Sequence, residues 1–327
     1  MKALVTGGTG FVGSHLTEKL LEKGWEVKCL TRKTSNLRWL KNLNVEIICG
    51  SFFDDNSLKK AVEDVDYIFH IAGAVMSKTT QGYFISNQIA TKNLAEASIK
   101  YNKNLKRFIY LSSQTVYGPS LNGEPTKETD DCKPITTYGK SKLAAEKELL
   151  NLAEELPLTI IRPPAIYGPR DEAIYQYFLA VSKGLISLIG FSDKFISIIH
   201  SHDLINGIML AAENENAIGE IYNISSEKYY SWKDIGDICK KAIGRKTITI
   251  RLPHFLVYTV AAFSQLFGYL TTKGAVFNIE KARDFTQKYW ILSPEKAIKQ
   301  LGFKQEVSLE DGIKSTIEWY KQNGWMK

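Results

Sequence analysis

Cysteine is scarce in this chain. Four residues in 327 (Cys29, Cys49, Cys132 and Cys239) show no CxxC and no Cys/His spacing. That excludes a disulfide-stapled scaffold, leaves no zinc signature, and fits free thiols in a reducing compartment. Glycine (23) and proline (9) stay at ordinary levels, which removes collagen-like and low-complexity chains. A strong charge excess is also missing. Lys+Arg number 42 against 35 Asp+Glu, and the resulting +7 is spread along the chain. A solvated basic surface is the preferred reading, and no nucleic-acid partner is expected. No charged leader segment stands before the apolar run Ala3-Leu4-Val5, so no signal peptide is expected and the cytoplasm is the expected compartment. Long apolar runs are absent too. The stretch 252–272 carries no charge beyond that of His254, but Pro253, Thr259, Ser264, Gln265 and Gly268 interrupt it. A buried or partner-facing helix is preferred there, with contact at a membrane surface as the second reading.

What remains is a chain with 44% apolar and 24% charged residues, long enough for a sizeable core. Its first half alternates strand-type runs at 2–6, 26–31, 45–48, 67–70, 107–111 and 158–161 with helical spacing at 12–23, 58–62 and 91–101. A longer helix is expected over 137–155, ahead of Pro157. Such alternation predicts a doubly wound parallel sheet. After Arg162 the pattern breaks at Pro163-Pro164 and Gly168-Pro169, and aromatic residues become dense. The expected division is 1–165 for the sheet domain, with 203–225 returning to it, and 166–327 for a smaller mixed α/β lobe that binds substrate.

Directly after the first strand comes Thr6-Gly7-Gly8-Thr9-Gly10-Phe11-Val12-Gly13. Glycines at this spacing allow a tight turn, close approach of a pyrophosphate and close helix–strand packing. The helix N-terminus behind them offers free N–H groups and a positive dipole end. The predicted domain is therefore Rossmann-like, with Gly7, Gly10, Phe11, Val12 and Gly13 at a dinucleotide. About twenty residues on, where an Asp or Glu would hydrogen-bond ribose hydroxyls and repel a 2′-phosphate, the chain has Arg32-Lys33. They belong to a run of five basic residues (Lys28, Arg32, Lys33, Arg38, Lys41) without a carboxylate. A guanidinium can fork onto phosphate oxygens, so NADP(H) is expected over NAD(H), which the site would still admit.

Tyr138 and Lys142 stand four residues apart on the expected helix and so share a face. A phenol titrating near ~10 needs a neighbouring cation to serve as an acid–base at neutral pH. Ser112-Ser113 closes the fifth strand at the edge where such sheets bind ligands. With these residues in place the chain resembles the extended short-chain dehydrogenases/reductases, the superfamily of NAD-dependent epimerases and dehydratases. The resemblance rests on TGGTGFVG (6–13), HIAG (70–73), SSQTVYG (112–118), YGKSK (138–142), RPPAIYGP (162–169) and His200-Ser201-His202-Asp203. It implies that Tyr138 is the acid–base, that Lys142 holds the nicotinamide ribose and tunes Tyr138, and that Ser113 orients the substrate oxygen. It further implies that Asn87 supports the proton-relay helix, that Phe52, Ala72, Gly73, Pro163 and Ile166 line the adenine and nicotinamide ends, and that the chain forms a homodimer.

Departures from the family pattern point to the substrate. Where sugar-nucleotide epimerases carry an Asn and an Arg for the diphosphate, this chain has Ala165 and Ile196, with Lys194 as the lone nearby charge. Gln114-Thr115 replaces the acidic pair of sugar dehydratases, and Ser51 stands where relatives often have Asp. The apolar second lobe is similar to the 3β-hydroxysteroid dehydrogenase and dihydroflavonol reductase branches. The expected activity is an NADP(H)-dependent exchange between ketone and secondary alcohol on a bulky, largely apolar small molecule. A sugar-nucleotide epimerase and a non-catalytic cofactor sensor are the alternatives.

Overall fold

The computed structural model describes residues 1–269 and 277–326. Seven strands build the main sheet: β1 (Lys2–Thr6), β2 (Glu26–Thr31), β3 (Glu46–Cys49), β4 (Tyr67–His70), β5 (Arg107–Leu111), β6 (Leu158–Arg162) and, far later in the chain, β10 (Ile221–Asn223). All pair in parallel, in the order β10-β6-β5-β4-β1-β2-β3. Both faces are covered, which is why β5 and β6 are buried along their whole length rather than alternating between buried and exposed residues. On one face α1 (Phe11–Glu22) and α7 (Ser201–Glu213) close a core around Leu16, Leu20, Phe69 and Ile208. On the other, α2 (Asp55–Val62), α4 (Ala90–Tyr101) and α5 (Thr137–Leu150) pack on Leu4, Ile68, Phe108 and Ile160.

The helix α5 is shorter than the expected 137–155. It ends at Leu150, and the chain tightens through turns in which Leu152 N–H bonds Leu149 O and Leu156 N–H bonds Leu152 O. Pro157 disfavours helix in the residue before it, and Leu156 turns inward under the sheet. Ahead of α4 lies a second departure. The chain enters it through α3 (Thr80–Phe84) and a π-helical turn over Ile85–Ile89 with Asn87 buried inside.

The second lobe is built on β9 (Phe195–His200), flanked by β7 (Ala165–Tyr167), β11 (Tyr229–Ser231) and β13 (Tyr289–Trp290). A separate parallel pair joins β8 (Leu185–Ile189) to β12 (Ile248–Leu252). Around them pack α6 (Tyr175–Ser182), α8 (Trp232–Ile243) and α12 (Leu309–Gln322), with Phe178, Ile235 and Ile313 in a third core. Within the stretch 252–272 the structure has one helix, α9 (His254–Tyr269); residues 270–272 lie outside the described residues. Burial is confined to one side of it, where Val257 and Ala261 meet Ala282 of α10 (Ile279–Thr286). The remaining helix, α11 (Glu295–Leu301), seats Leu301 against the first core.

Candidate active site

The parallel arrangement brings five strand ends to one edge. Gly7 follows β1, Arg32 follows β2, Ile71-Ala72 follows β4, Ser112-Ser113 follows β5 and Pro163 follows β6. Residues scattered over more than 150 positions therefore converge because every strand points the same way.

At β1 the glycines are sterically required. Gly7 adopts φ +76, and a Cβ on it would sit 2.8 Å from Ala72 N. On Gly13 a Cβ would lie 2.1 Å from Gly7 O. Gly10 begins α1 with no side-chain cap, and no acidic residue stands in the first turn. The first N–H groups of α1, beside Phe11 and Val12, thus stay available to an anion. That cradle of bare backbone and open helix N-terminus fits a dinucleotide pyrophosphate.

The five basic residues do not form one patch. Lys28 is buried and donates to Lys60 O and Glu63 O at 3.2 and 3.1 Å. Arg38 pairs with Glu172 at 2.8 Å and lies over the Trp39 ring. Arg32 and Lys33 are exposed at the end of β2, and neither has an ion-pair partner among the described residues. On the other side of the cleft Phe52 stands edge-on to His70 at 5.5 Å. The His70 ring is buried between Thr6 Oγ1 (2.7 Å) and Thr91 Oγ1 (2.8 Å), and burial drives it down to about 3.

Ser113 and Tyr138 come together, with the serine hydroxyl near enough to the phenol to favour its ionised form. The Ser113 hydroxyl also accepts from Thr115 N and Thr115 Oγ1 at 3.2 and 3.0 Å. Burial pushes the Tyr138 phenol up to about 12, with the Ser113 hydroxyl pulling the other way. The ring of Tyr83, a residue that the sequence did not single out, lies 6.4 Å from that of Tyr138. Lys142 reaches back to the end of β5. Its Nζ donates to Leu111 O at 2.6 Å and sits 4.3 Å from the centre of the Tyr110 ring. Burial lowers this ammonium to about 7, opposed by Glu146 one turn along α5. Glu146 is itself fully buried and paired with Arg162 at the end of β6.

Asn87 ties the walls together. Its Oδ1 accepts from Ala74 N at 2.7 Å, and its Nδ2 donates to Ala74 O at 3.1 Å and to Ser141 Oγ at 2.9 Å. Gly73 runs past both groups, since a Cβ there would be 3.2 Å from Asn87 Oδ1 and 3.5 Å from Lys142 Nζ. Pro163 O accepts from Gln114 N at 2.9 Å, fixing the loop after β5 to that after β6, and Ile166 follows in β7.

The lobe adds two carboxyls that motif reading missed. Glu280 on α10 accepts from Thr137 N (2.9 Å) and Thr137 Oγ1 (2.6 Å), placing negative charge at the N-terminus of α5 next to Tyr138. Asp284, one turn further, is pushed up to about 7 by burial, and its Oδ1 has no hydrogen-bond partner. No local pattern marks Glu280, because its partner Thr137 lies 143 positions away.

The chain belongs to the NAD dependent epimerase/dehydratase family, whose model matches residues 3–225. It is similar to a ceramide reductase of Caulobacter vibrioides, 28% identical over 98% of this chain and 95% of that protein. A 3-beta-hydroxysteroid dehydrogenase of Mycolicibacterium neoaurum is 29% identical over 98% and 91%. Among solved structures, a UDP-glucuronic acid 4-epimerase from Bacillus cereus in complex with UDP-glucuronic acid and NAD superposes with a TM-score of 0.79. It is 25% identical and covers 99% of this chain and 100% of that one. The relatives are reductases, dehydrogenases and sugar-nucleotide enzymes, and the extended short-chain dehydrogenase/reductase fold is common to them.

Proposed function

We propose that this member of the family is an NADP(H)-dependent oxidoreductase interconverting a ketone and a secondary alcohol on a bulky, largely apolar substrate. The carrying observation is the convergence of Ser113 and Tyr138 at the strand-end edge that also holds the glycine cradle. When bound, the dinucleotide supplies the two-electron exchange with the substrate carbon. Gly7, Gly10 and Gly13 would receive its pyrophosphate, Arg32 and Lys33 a 2′-phosphate, and Lys142, beside Gly73, its nicotinamide ribose.

Tyr138 Oη carries the proton to or from the substrate oxygen, and Ser113 Oγ donates to that same oxygen as negative charge develops on it. Phenolate formation against a burial that holds Tyr138 near 12 requires added positive charge, which a protonated Lys142 and an oxidised nicotinamide would contribute. The apolar substrate class is supported by the diphosphate positions. Ala165 and Ile196 offer no cation, and the Lys194 ammonium is already given to Thr286 O at 2.6 Å. The ceramide and 3-beta-hydroxysteroid relatives favour the same class.

The test is consumption of NADPH with a panel of long-chain and polycyclic ketones. Steady oxidation supports the reading. Inactivity across the panel, with tight binding of UDP- or dTDP-sugars and no net change in cofactor, would assign the site to epimerisation instead.

A further inference from the structure

On α9 the buried and exposed sides carry the same kind of residue. Val257, Ala261 and Gly268 face the protein, whereas Phe255 (72% exposed), Leu256, Val260, Phe263 (60%), Leu266 and Phe267 (64%) face outward. These six recur at helical spacing and form one continuous stripe. Phe191, 76% exposed, extends the patch at the start of the helix, where Gly190 N–H bonds Leu252 O and a Cβ on Gly190 would lie 2.5 Å from His254 Nε2. A contiguous aromatic and aliphatic stripe of this kind marks a surface made to be covered.

Charge shows what covers it. Between Asp237 and the start of α9 the chain has no carboxylate and five cations, Lys240, Lys241, Arg245, Lys246 and Arg251. Lys241, Arg245 and Lys246 are exposed, and the chain runs from them through β12, with Ile248 and Ile250 outward, straight into α9. Arg251 is paired with Asp193 at 2.8 Å, whereas Lys241, Arg245 and Lys246 have no ion-pair partner among the described residues. An apolar stripe led into by such free cations complements an anionic lipid surface. The other occupant to weigh, a second copy of the chain, would bring the same cations face to face around the stripe. Sixteen residues make a helix about 24 Å long, short of the roughly 30 Å hydrocarbon core, so α9 as described suits the plane of the interface rather than a crossing. Among the described residues no helix is long and apolar enough to span a membrane.

We propose that α9 docks in the plane of an anionic membrane surface and that substrate reaches the cleft from the bilayer. The second clause rests on the reading of the substrate as apolar. The inner side of α9 packs on α10, and Gln265 Oε1 accepts from Ile279 N. α10 in turn carries Glu280 to Thr137, beside Tyr138. The helix that meets lipid is thus the outer layer of the wall over the candidate acid–base.

Sedimentation with large unilamellar vesicles separates docking from chemistry. Vesicles of phosphatidylcholine mixed with phosphatidylglycerol should pull down the full-length protein, and pure phosphatidylcholine should retain at least about tenfold less. The combined variant Phe255→Ser/Phe263→Ser/Phe267→Ser changes exposed side chains only, so its Tm should hold while vesicle binding falls about a hundredfold. Absence of binding by the wild type, or equal binding by that variant, overturns the docking surface. So does a dimer that the variant disperses without any lipid binding, which would give the stripe to a second copy. Docking together with inactivity on every ketone would leave the surface in place and remove the lipid substrate.

Discussion

Asn87 Nδ2 donates to Ser141 Oγ at 2.9 Å, so a π-helical turn before α4 grips the helix that carries Tyr138 and Lys142. The extra residue of the π turn places the amide where both its ends are used, one on the Ala74 backbone and one on α5. Asn87→Ala should remove the side-chain partner of Ala74 N–H and Ala74 O and one of the two bonds of the Ser141 hydroxyl, which still donates to Tyr138 O, at about 1–3 kcal/mol of stability. Thermal unfolding checks that loss. A kcat reduced at least about tenfold with KM for cofactor nearly unchanged would mark the positioning role.

Tyr138→Phe keeps the ring that faces Tyr83 and removes only the hydroxyl beside Ser113. Dinucleotide binding, followed by fluorescence titration, should stay near the wild-type value. Turnover should fall about 10²–10⁴-fold, the usual worth of a positioned acid–base. Retention of turnover would transfer the proton to another group.

Much of this site was open to reading because its signals are local. The glycine turn depends on contacts within eight residues and the strand beside it, and the Tyr138/Lys142 spacing states its own geometry on a helix. The strand-type runs at 107–111 and 158–161, apolar at most positions, announce buried parallel strands in the same way. Glu280 and Asp284 were not legible, since only the folded lobe brings α10 to Thr137 and Tyr83. Nor was the direction of Lys142, which depends on the Leu111 carbonyl and Tyr110 ring of a strand about 30 residues away. For α9 the difficulty was different. Its two sides are equally apolar, so periodicity alone gave no hint of which one the protein covers, and the buried reading preferred from sequence holds for only one side.

His70 predicts an acid-sensitive fold. Its folded pKa lies near 3, below the ordinary 6.5, so between those values the unfolded chain holds a proton that the native ring refuses. The unfolded state binds more protons there, and stability therefore falls as pH drops below about 6.5, by up to about 1.4 kcal/mol per unit from this group. Asp171 and Asp284, raised to about 6 and about 7, act with the opposite sign. The check is therefore a difference: His70→Gln, compared with wild type by urea unfolding across pH 4 to 7, should show a flatter acid limb. An identical slope in the two proteins would mean that the buried ring does not set it.

Glu280→Gln tests the link between the lobe and α5. The carboxylate accepts two bonds from Thr137 at the positive end of the helix dipole. The amide keeps the shape and one acceptor but loses the charge, which should cost about 1 kcal/mol of stability. Because α10 backs the cleft, KM for the carbonyl substrate should rise more than KM for the dinucleotide. Equal changes in both would place Glu280 in general stability alone.

Arg32 bears on the choice of cofactor. It is exposed, and a surface cation of that kind adds little to a fold, so Arg32→Ala should leave Tm unchanged. Against a 2′-phosphate the same guanidinium can make a forked, charge-assisted contact worth about 1.5–3 kcal/mol. KM for NADPH should accordingly rise about 10- to 100-fold in the variant, while KM for NADH, which has no phosphate at that position, moves little. Salt gives an independent reading, because a contact between exposed charges is screened over about 10 Å at ~0.1 M. Raising ionic strength should weaken NADPH binding in the wild type and bring it toward that of NADH, and Arg32→Ala should have lost most of that dependence. Equal effects of the substitution on both cofactors would detach Arg32 from the phosphate and return the β2 end to a solvated basic turn.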